Sequence, residues 1–462
     1  MNVTSLQESF SALYEASREQ VMVSWSVRQQ RLQQLQSLLM QNQDTIIQAI
    51  ATDFGNRHRS ETAVVEIIPS LQAIKHALKH GKRWMNQRKA KTSWLFWPAQ
   101  NHILPQPKGV IGIVVPWNYP LYLTLGPLVD ALVAGNRAMV KLSEHAPHFA
   151  QTMQQLVPLY FQDNEVCVVT GDADVAQAFC ALPFDHLIFT GSTAVGKKVM
   201  QAAATNLTPV TLELGGKSPV IIHQSQHFKN TVARVMYGKM VNAGQTCIAP
   251  DYVLLEKGLQ DAFVEQAQAW FTKTYPNWQN NTDFTHIINT TQQQRLQGYL
   301  DQAQAQGARI IALAPAKDGL IAPSIVINAP DDCDVMQEEI FGPILPMVAV
   351  DSLNEAIAYV NTRARPLACY VFSDDTETQE RCLQEIVAGG MCVNEVLLHV
   401  AQESLPFGGI GPSGMGAYHG QIGFDSLSHL KPVLRQKRFN TMGLMAPPYG
   451  RLIKLLLKFL NR

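Results

Sequence analysis

The texture of hydrophobic and polar positions changes twice along this chain. Over the first 90 or so residues, Leu, Ile and Ala recur three and four apart among Gln-rich polar positions, which is the period of amphipathic helices. Residues 91–107 (KTSWLFWPAQNHILPQP) break that rhythm with aromatics and prolines. They read as extended or looped chain outside the helical packing unit. From residue 109, short unbroken apolar runs alternate with helix-like segments. GVIGIVV (109–115) is followed by PLYLTLGPLVDALVAGN, then by RAMVKLS, EVCVVTG and HLIFTGS with helices between them, and then by a helix from Ala194. Unbroken apolar runs suit strands buried on both faces, so the alternation predicts a parallel sheet with helices on either side. Such sheets bind ligands at the carboxyl ends of their strands. After TPVTLELGGKSPVIIH a second series of helices and strands runs to about Met391, long enough for a second α/β domain. Residues 424–438 read as a short strand with a basic end, pairing with residues 94–103 of this chain or of another subunit.

Length and charge narrow the classes. A chain of 462 residues exceeds one ordinary core, so two or three domains are expected. Lys plus Arg equals Asp plus Glu at 37 each, which gives no basis for nucleic-acid binding. The start MNVTSLQESF lacks a basic region followed by an apolar run, and no stretch reaches about 18 apolar residues. The seven cysteines are scattered without paired metal spacing. A reduced, cytoplasmic setting without a metal site is expected, with six of the seven as small buried hydrophobes.

Four segments carry candidate chemistry. In NAGQTCIAP, Ala243, Gly244 and Thr246 leave Cys247 room for a substrate and a cofactor. A helix start there would lower the thiol pKa. In ELGGKSP, Gly215 and Gly216 open space beside Glu213, a carboxylate that can act as general base on water. In PWNYP, Asn118 follows a buried strand and offers an amide to an oxyanion. In FTGSTAVG, Gly191 and Gly196 frame a helix start suited to a pyrophosphate, although this is not G-x-G-x-x-G. Each also has a plain reading: a structural cysteine, a solvated glutamate, a Pro-Asn turn and an ordinary strand-to-helix turn.

Taken in this order, with 34 residues between Glu213 and Cys247, and with EEIFGP (338–343) and LPFGGIGPSGMG (405–416) following, they resemble the aldehyde dehydrogenase superfamily over nearly the whole chain. The resemblance implies that fold: a Rossmann-type parallel-sheet cofactor domain (1–90 and 106–211), a second α/β catalytic domain (212–391), a small β bridging or oligomerisation element (91–105 and 392–440) and a tail (441–462). It implies Cys247 as nucleophile, Glu213 as base, and Asn118 with the Cys247 amide as oxyanion site, through a thiohemiacetal and a thioester released by water. It places Trp117, Lys141, Glu144, Gly191, Ser192, Gly196, Glu339 and Phe341 at an NAD(P) cofactor. Glu144 in KLSE, accepting from the adenosine ribose hydroxyls, favours NAD over NADP. Leu142 stands where the family usually has proline, and Ala194 where many members have glutamate.

The early position of Cys247 and the run VNEVLLHVAQESLPFGGIGPSGMGAYHG resemble the class 3 branch, which forms dimers. Within that branch, residues 104–137 and the runs LPFDHLIFTGSTAVGKKVM and NLTPVTLELGGKSP are similar to bacterial coniferyl aldehyde dehydrogenases. An aromatic aldehyde such as coniferyl aldehyde, or a long-chain apolar one, is the substrate this implies. Tyr119, Leu123 and His399 are the candidate pocket residues, and core packing is the plainer role for Leu123. A fatty aldehyde dehydrogenase at a membrane surface is the alternative function, and a structural or binding protein on the same fold is a more remote one.

The tail GRLIKLLLKFLNR sets Arg451, Lys454, Lys458 and Arg462 three or four residues apart among leucines. That is a basic amphipathic helix. Two readings stand: docking on an anionic membrane at the inner face, or packing on its own domain or a partner subunit.

Overall fold

The computed structural model describes residues 3–317, 320–438 and 446–460. Five parallel strands, Val110–Val114, Arg137–Lys141, Val166–Val169, His186–Gly191 and Val210–Leu214, form most of a six-stranded sheet. Gly414–Met415 joins its edge antiparallel to Val210–Leu214. Chain order runs outward from Val110–Val114 in one direction and then resumes on its other flank. That reversal opens a crevice at the strands' carboxyl ends. Alternate side chains feed different cores, as the two-residue period requires. Ile111, Ile113 and Val140 join the helices Trp25–Gln41, Ile68–Trp84 and Tyr122–Ala134. Val110 and Met139 face the helices Val3–Glu19 and Ala173–Cys180 on the other side. Tyr122–Ala134 is apolar almost all round and is buried along its length, ending on Gly135 at φ 89°.

A second sheet has seven strands in the order Arg309–Ala312, Ser324–Ile327, Ile344–Val350, Tyr252–Glu256, Pro219–Ile222, Ala368–Phe372 and Gly390–Val393. Only its first pair is antiparallel. A third, antiparallel sheet joins Arg88–Ala90, Gln100–Pro107 and Ser428–Arg435.

Several boundaries differ from the sequence reading. The strand ending the first sheet continues past residue 211 to Leu214, because its apolar alternation does. Gly414–Met415 returns to that sheet from the segment assigned to the bridging element. Residues 424–426 end a helix, Gly420–Ser426, that packs on Tyr122–Ala134, so only Ser428–Arg435 is strand. That strand pairs with Gln100–Pro107, while Trp94–Phe96 is a single helical turn. Arg451–Leu460 is helical, and residues 441–445, 461 and 462 of the expected tail lie outside the described residues. Among the described residues no helix is long and apolar enough to cross a membrane.

Candidate active site

The strand Val110–Val114 runs into residues 116–118, and His186–Gly191 runs into Ser192. Both ends open on a cleft of about 1660 Å³. Across it stand side chains from the second α/β unit, among them Cys247, Glu339 and Phe341.

An uncommon backbone turn delivers Cys247. After the helix Phe228–Met240, Asn242 (φ 52°), Ala243 (φ 51°) and Gly244 (φ 75°) are all left-handed. Asparagine tolerates this conformation, but alanine pays roughly 1–2 kcal/mol for it, so surrounding bonds must hold it. Glu61 Oε1 accepts from the Asn242 amide at 2.7 Å, and Asn242 Nδ2 donates to the Asn118 carbonyl at 3.0 Å. Gln245 Nε2 donates to the His286 carbonyl at 3.0 Å. A Cβ at Gly244 would sit 2.3 Å from the Gly342 carbonyl, so only glycine fits.

The turn sets Cys247 Sγ 3.4 Å from Glu213 Oε1. Glu213 is buried near the end of the strand Val210–Leu214, and the Tyr418 hydroxyl donates to its Oε2 at 3.2 Å. Burial pushes the Glu213 carboxyl up to about 7, against hydrogen bonds from Cys247, Tyr418 and Thr190. The Cys247 thiol lies well above its ordinary value, first through burial and then through the Glu213 and Glu339 carboxylates. This corrects the expectation of a lowered thiol pKa. No helix begins at Cys247, and its nearest charged neighbours are acidic. The resting pair is therefore a protonated thiol beside a carboxylate poised near neutrality, and the proton can pass from sulfur to Glu213.

Asn118 is buried, and its Nδ2 donates to the Gln245 carbonyl at 3.2 Å, two residues from Cys247. Its own carbonyl accepts from Arg57 Nη1 at 3.2 Å. Arg57 also pairs with the buried Glu66 at 2.9 Å, and Glu66 accepts from the Leu121 and Tyr122 amides at 2.7 and 3.1 Å. Arg57, Glu61 and Glu66 thus fix both chains that meet at the thiol. Removing one partner of a buried ion pair strands the other charge. Arg57→Met is expected to lower unfolding free energy by about 3–5 kcal/mol, read from urea denaturation; a loss under about 1 kcal/mol would discount the pair.

The residues expected to meet a cofactor stand at the other end of the cleft. Ser192 Oγ caps the helix Thr193–Ala204 by accepting from the Val195 amide at 3.4 Å, and Ser192 to Val195 line the cleft. Lys141 is almost wholly buried; its ammonium donates to the Leu142 carbonyl at 2.8 Å and lies 3.4 Å from the half-exposed Glu144. Trp117 and Phe341 meet edge-on at 5.4 Å. Glu339 is held by the Gly216 amide and raised to about 8 by burial, then by Asp251, while its Oε1 is buried without a hydrogen-bond partner. A Cβ at Gly215 would fall 1.9 Å from Glu339 Oε2. Gly215 beside Glu213 therefore makes room for a second carboxylate rather than open space, while Gly216 lies against the backbone of Pro366 and Leu367.

Four expected site residues do not line this cleft. Gly196 lets the helix Thr193–Ala204 pack on Leu214, 2.5 Å from where a Cβ would be. Leu123 belongs to the first core. Tyr119 donates to or accepts from Thr246 Oγ1 at 2.5 Å, behind the Cys247 turn. His399 Nδ1 lies 3.1 Å from Cys392 Sγ among Tyr370 and Phe407. Sequence reading missed Tyr418, Arg57, Glu61 and Glu66. Tyr418 does lie in GAYHG, at the end of a segment already singled out, but nothing local ties it to Glu213.

The family profile described as the aldehyde dehydrogenase family matches residues 3–433. The chain belongs to the aldehyde dehydrogenase family. Within it, the chain is 47% identical to a probable coniferyl aldehyde dehydrogenase of Pseudomonas aeruginosa, over 98% of this chain and 96% of that one. It is 43% identical to the coniferyl aldehyde dehydrogenase of a Pseudomonas species, over 98% and 96%. A structure described as the substrate-bound state of Staphylococcus aureus AldH superposes with a TM-score of 0.94 at 36% identity, covering all of both chains. The aldehyde dehydrogenase fold expected from the sequence is the one observed.

Proposed function

We propose that this enzyme oxidises an aromatic aldehyde of the coniferyl type to its carboxylic acid with NAD, through a thioester on Cys247. The observation that carries the chemistry is the 3.4 Å approach of the Cys247 thiol to a carboxylate raised to about 7, at the mouth of a strand switch point. Substrate choice draws on the 43–47% identical relatives.

Glu213 takes the thiol proton, and Cys247 sulfur attacks the aldehyde carbon. The Asn118 amide, together with the Cys247 backbone N–H, holds the resulting alkoxide. When bound, a nicotinamide would serve as the hydride acceptor, and Cys247 would be left holding the acyl group as a thioester. Glu213 first gives the thiol proton up to solvent; as a carboxylate again it draws a proton from water, whose oxygen attacks the thioester, and that proton passes to the departing Cys247 sulfur. The acid leaves and the thiol is restored. Retention of Glu213 supports release to water rather than to coenzyme A.

The cleft fits the cofactor. The start of Thr193–Ala204, with the Thr193 and Ala194 amides in its first turn on the cleft, suits a pyrophosphate. The unpartnered Glu339 Oε1 and the buried Lys141 ammonium offer an acceptor and donors to ribose hydroxyls. Glu144 beside Lys141 would repel a 2′-phosphate. NAD is therefore expected to give the higher kcat/KM, and Glu144→Ser should improve NADP relative to NAD by at least about tenfold. A panel of aromatic and aliphatic aldehydes with NAD and NADP, followed by absorbance of the reduced cofactor, tests the whole reading. Silence with every aldehyde would refute it, and a clear preference for long-chain aliphatic aldehydes would replace the substrate.

A further inference from the structure

From Ser426 onward the chain carries eight Lys and Arg and no Asp or Glu. Its last described element, Arg451–Leu460, concentrates this imbalance on one side of a helix. Arg451, Lys454 and Lys458 follow at i, i+3 and i+7, one stripe of a helix with 3.6 residues per turn. Leucines, Ile453 and Phe459 occupy the rest. A surface helix of a globular domain buries such a face against the core. Here Leu455 is 66% and Phe459 71% exposed, and Leu457 and Leu460 are exposed as well. Tyr449, just before the helix, is 65% exposed. A wide apolar face bounded by a cationic stripe, with an aromatic at its edge, matches the boundary between hydrocarbon and headgroups. Ten residues are too short to span that layer.

We propose that Arg451–Leu460 lies in the plane of an anionic phospholipid surface, apolar side down, with its cations against the lipid phosphates. Charge decides between occupants. The same segment of a second copy would bring another acid-free, cationic stripe, whereas anionic lipid supplies the missing counter-charge. The inference does not depend on which aldehyde is oxidised.

The test uses the full chain and vesicles of phosphatidylcholine with or without phosphatidylglycerol. Co-sedimentation is expected only with phosphatidylglycerol and should weaken as salt rises. Leu455→Glu/Phe459→Glu should weaken it by more than about tenfold through lost apolar burial. Lys454→Glu/Lys458→Glu should do so by about tenfold or more through charge. Aldehyde oxidation in vesicle-free buffer should be unchanged in both, reporting an intact fold. The proposal is overturned if the unaltered chain does not sediment, or if it sediments no better than the variants. It is equally overturned if Leu455→Glu/Phe459→Glu changes the mass in solution while vesicles bind nothing, since a second copy then covers the face.

Discussion

Cys247→Ala should lose at least about four orders of magnitude in kcat for aldehyde oxidation, with thermal stability unchanged. The size of the effect follows from the covalent route. Without sulfur there is no tetrahedral adduct on the protein and no thioester, and water held in the cleft is a far weaker nucleophile. Cys180 also reaches the cleft wall but cannot substitute. Its thiol is pushed up to about 11 by burial and lies near Lys141, not near a base. Cys180→Ala should therefore keep near-native rates. Initial-rate assays on both variants separate the two sulfurs. Retention of kcat within tenfold in Cys247→Ala would remove the covalent mechanism.

What the sequence made legible follows from how locally each feature is encoded. The strands around Val110–Val114 and His186–Gly191 were visible because burial on both faces leaves unbroken apolar runs. Cys247, Glu213 and Asn118 were recognisable because each sits in a short motif whose neighbours serve the same turn. Their convergence, Glu213 on Cys247 itself and Asn118 on the nearby Gln245 carbonyl, is visible only in three dimensions. Tyr418 lies 205 residues from its carboxylate, and Glu61 lies 181 from the amide it accepts. Such partners leave no periodic trace in the sequence. Gly215 misled for a related reason: a small residue marks close approach, but not what approaches, and the group is Glu339. The thiol's environment was misjudged because a turn of left-handed residues resembles a helix start in composition alone.

The second large effect is expected at Glu213. Glu213→Gln should release about one equivalent of reduced cofactor per site in a fast burst and then turn over about two to four orders of magnitude more slowly. The burst survives because the variant removes a negative charge that raises the Cys247 thiol, so the thiolate becomes easier to form as the base is lost. Deacylation has no such relief, since glutamine cannot accept the proton of the attacking water. The pH dependence follows by sign. Glu213 acts only when deprotonated, and its burial-raised value is about 7, so the steady-state rate should rise with pH through about 7 and level off above it. That limb should vanish in Glu213→Gln. In Tyr418→Phe it should move to higher pH, because the lost hydroxyl had been holding the value down. Stopped-flow and steady-state profiles on the three proteins measure all of this. A glutamine variant with native turnover and the same limb would assign the base to another residue.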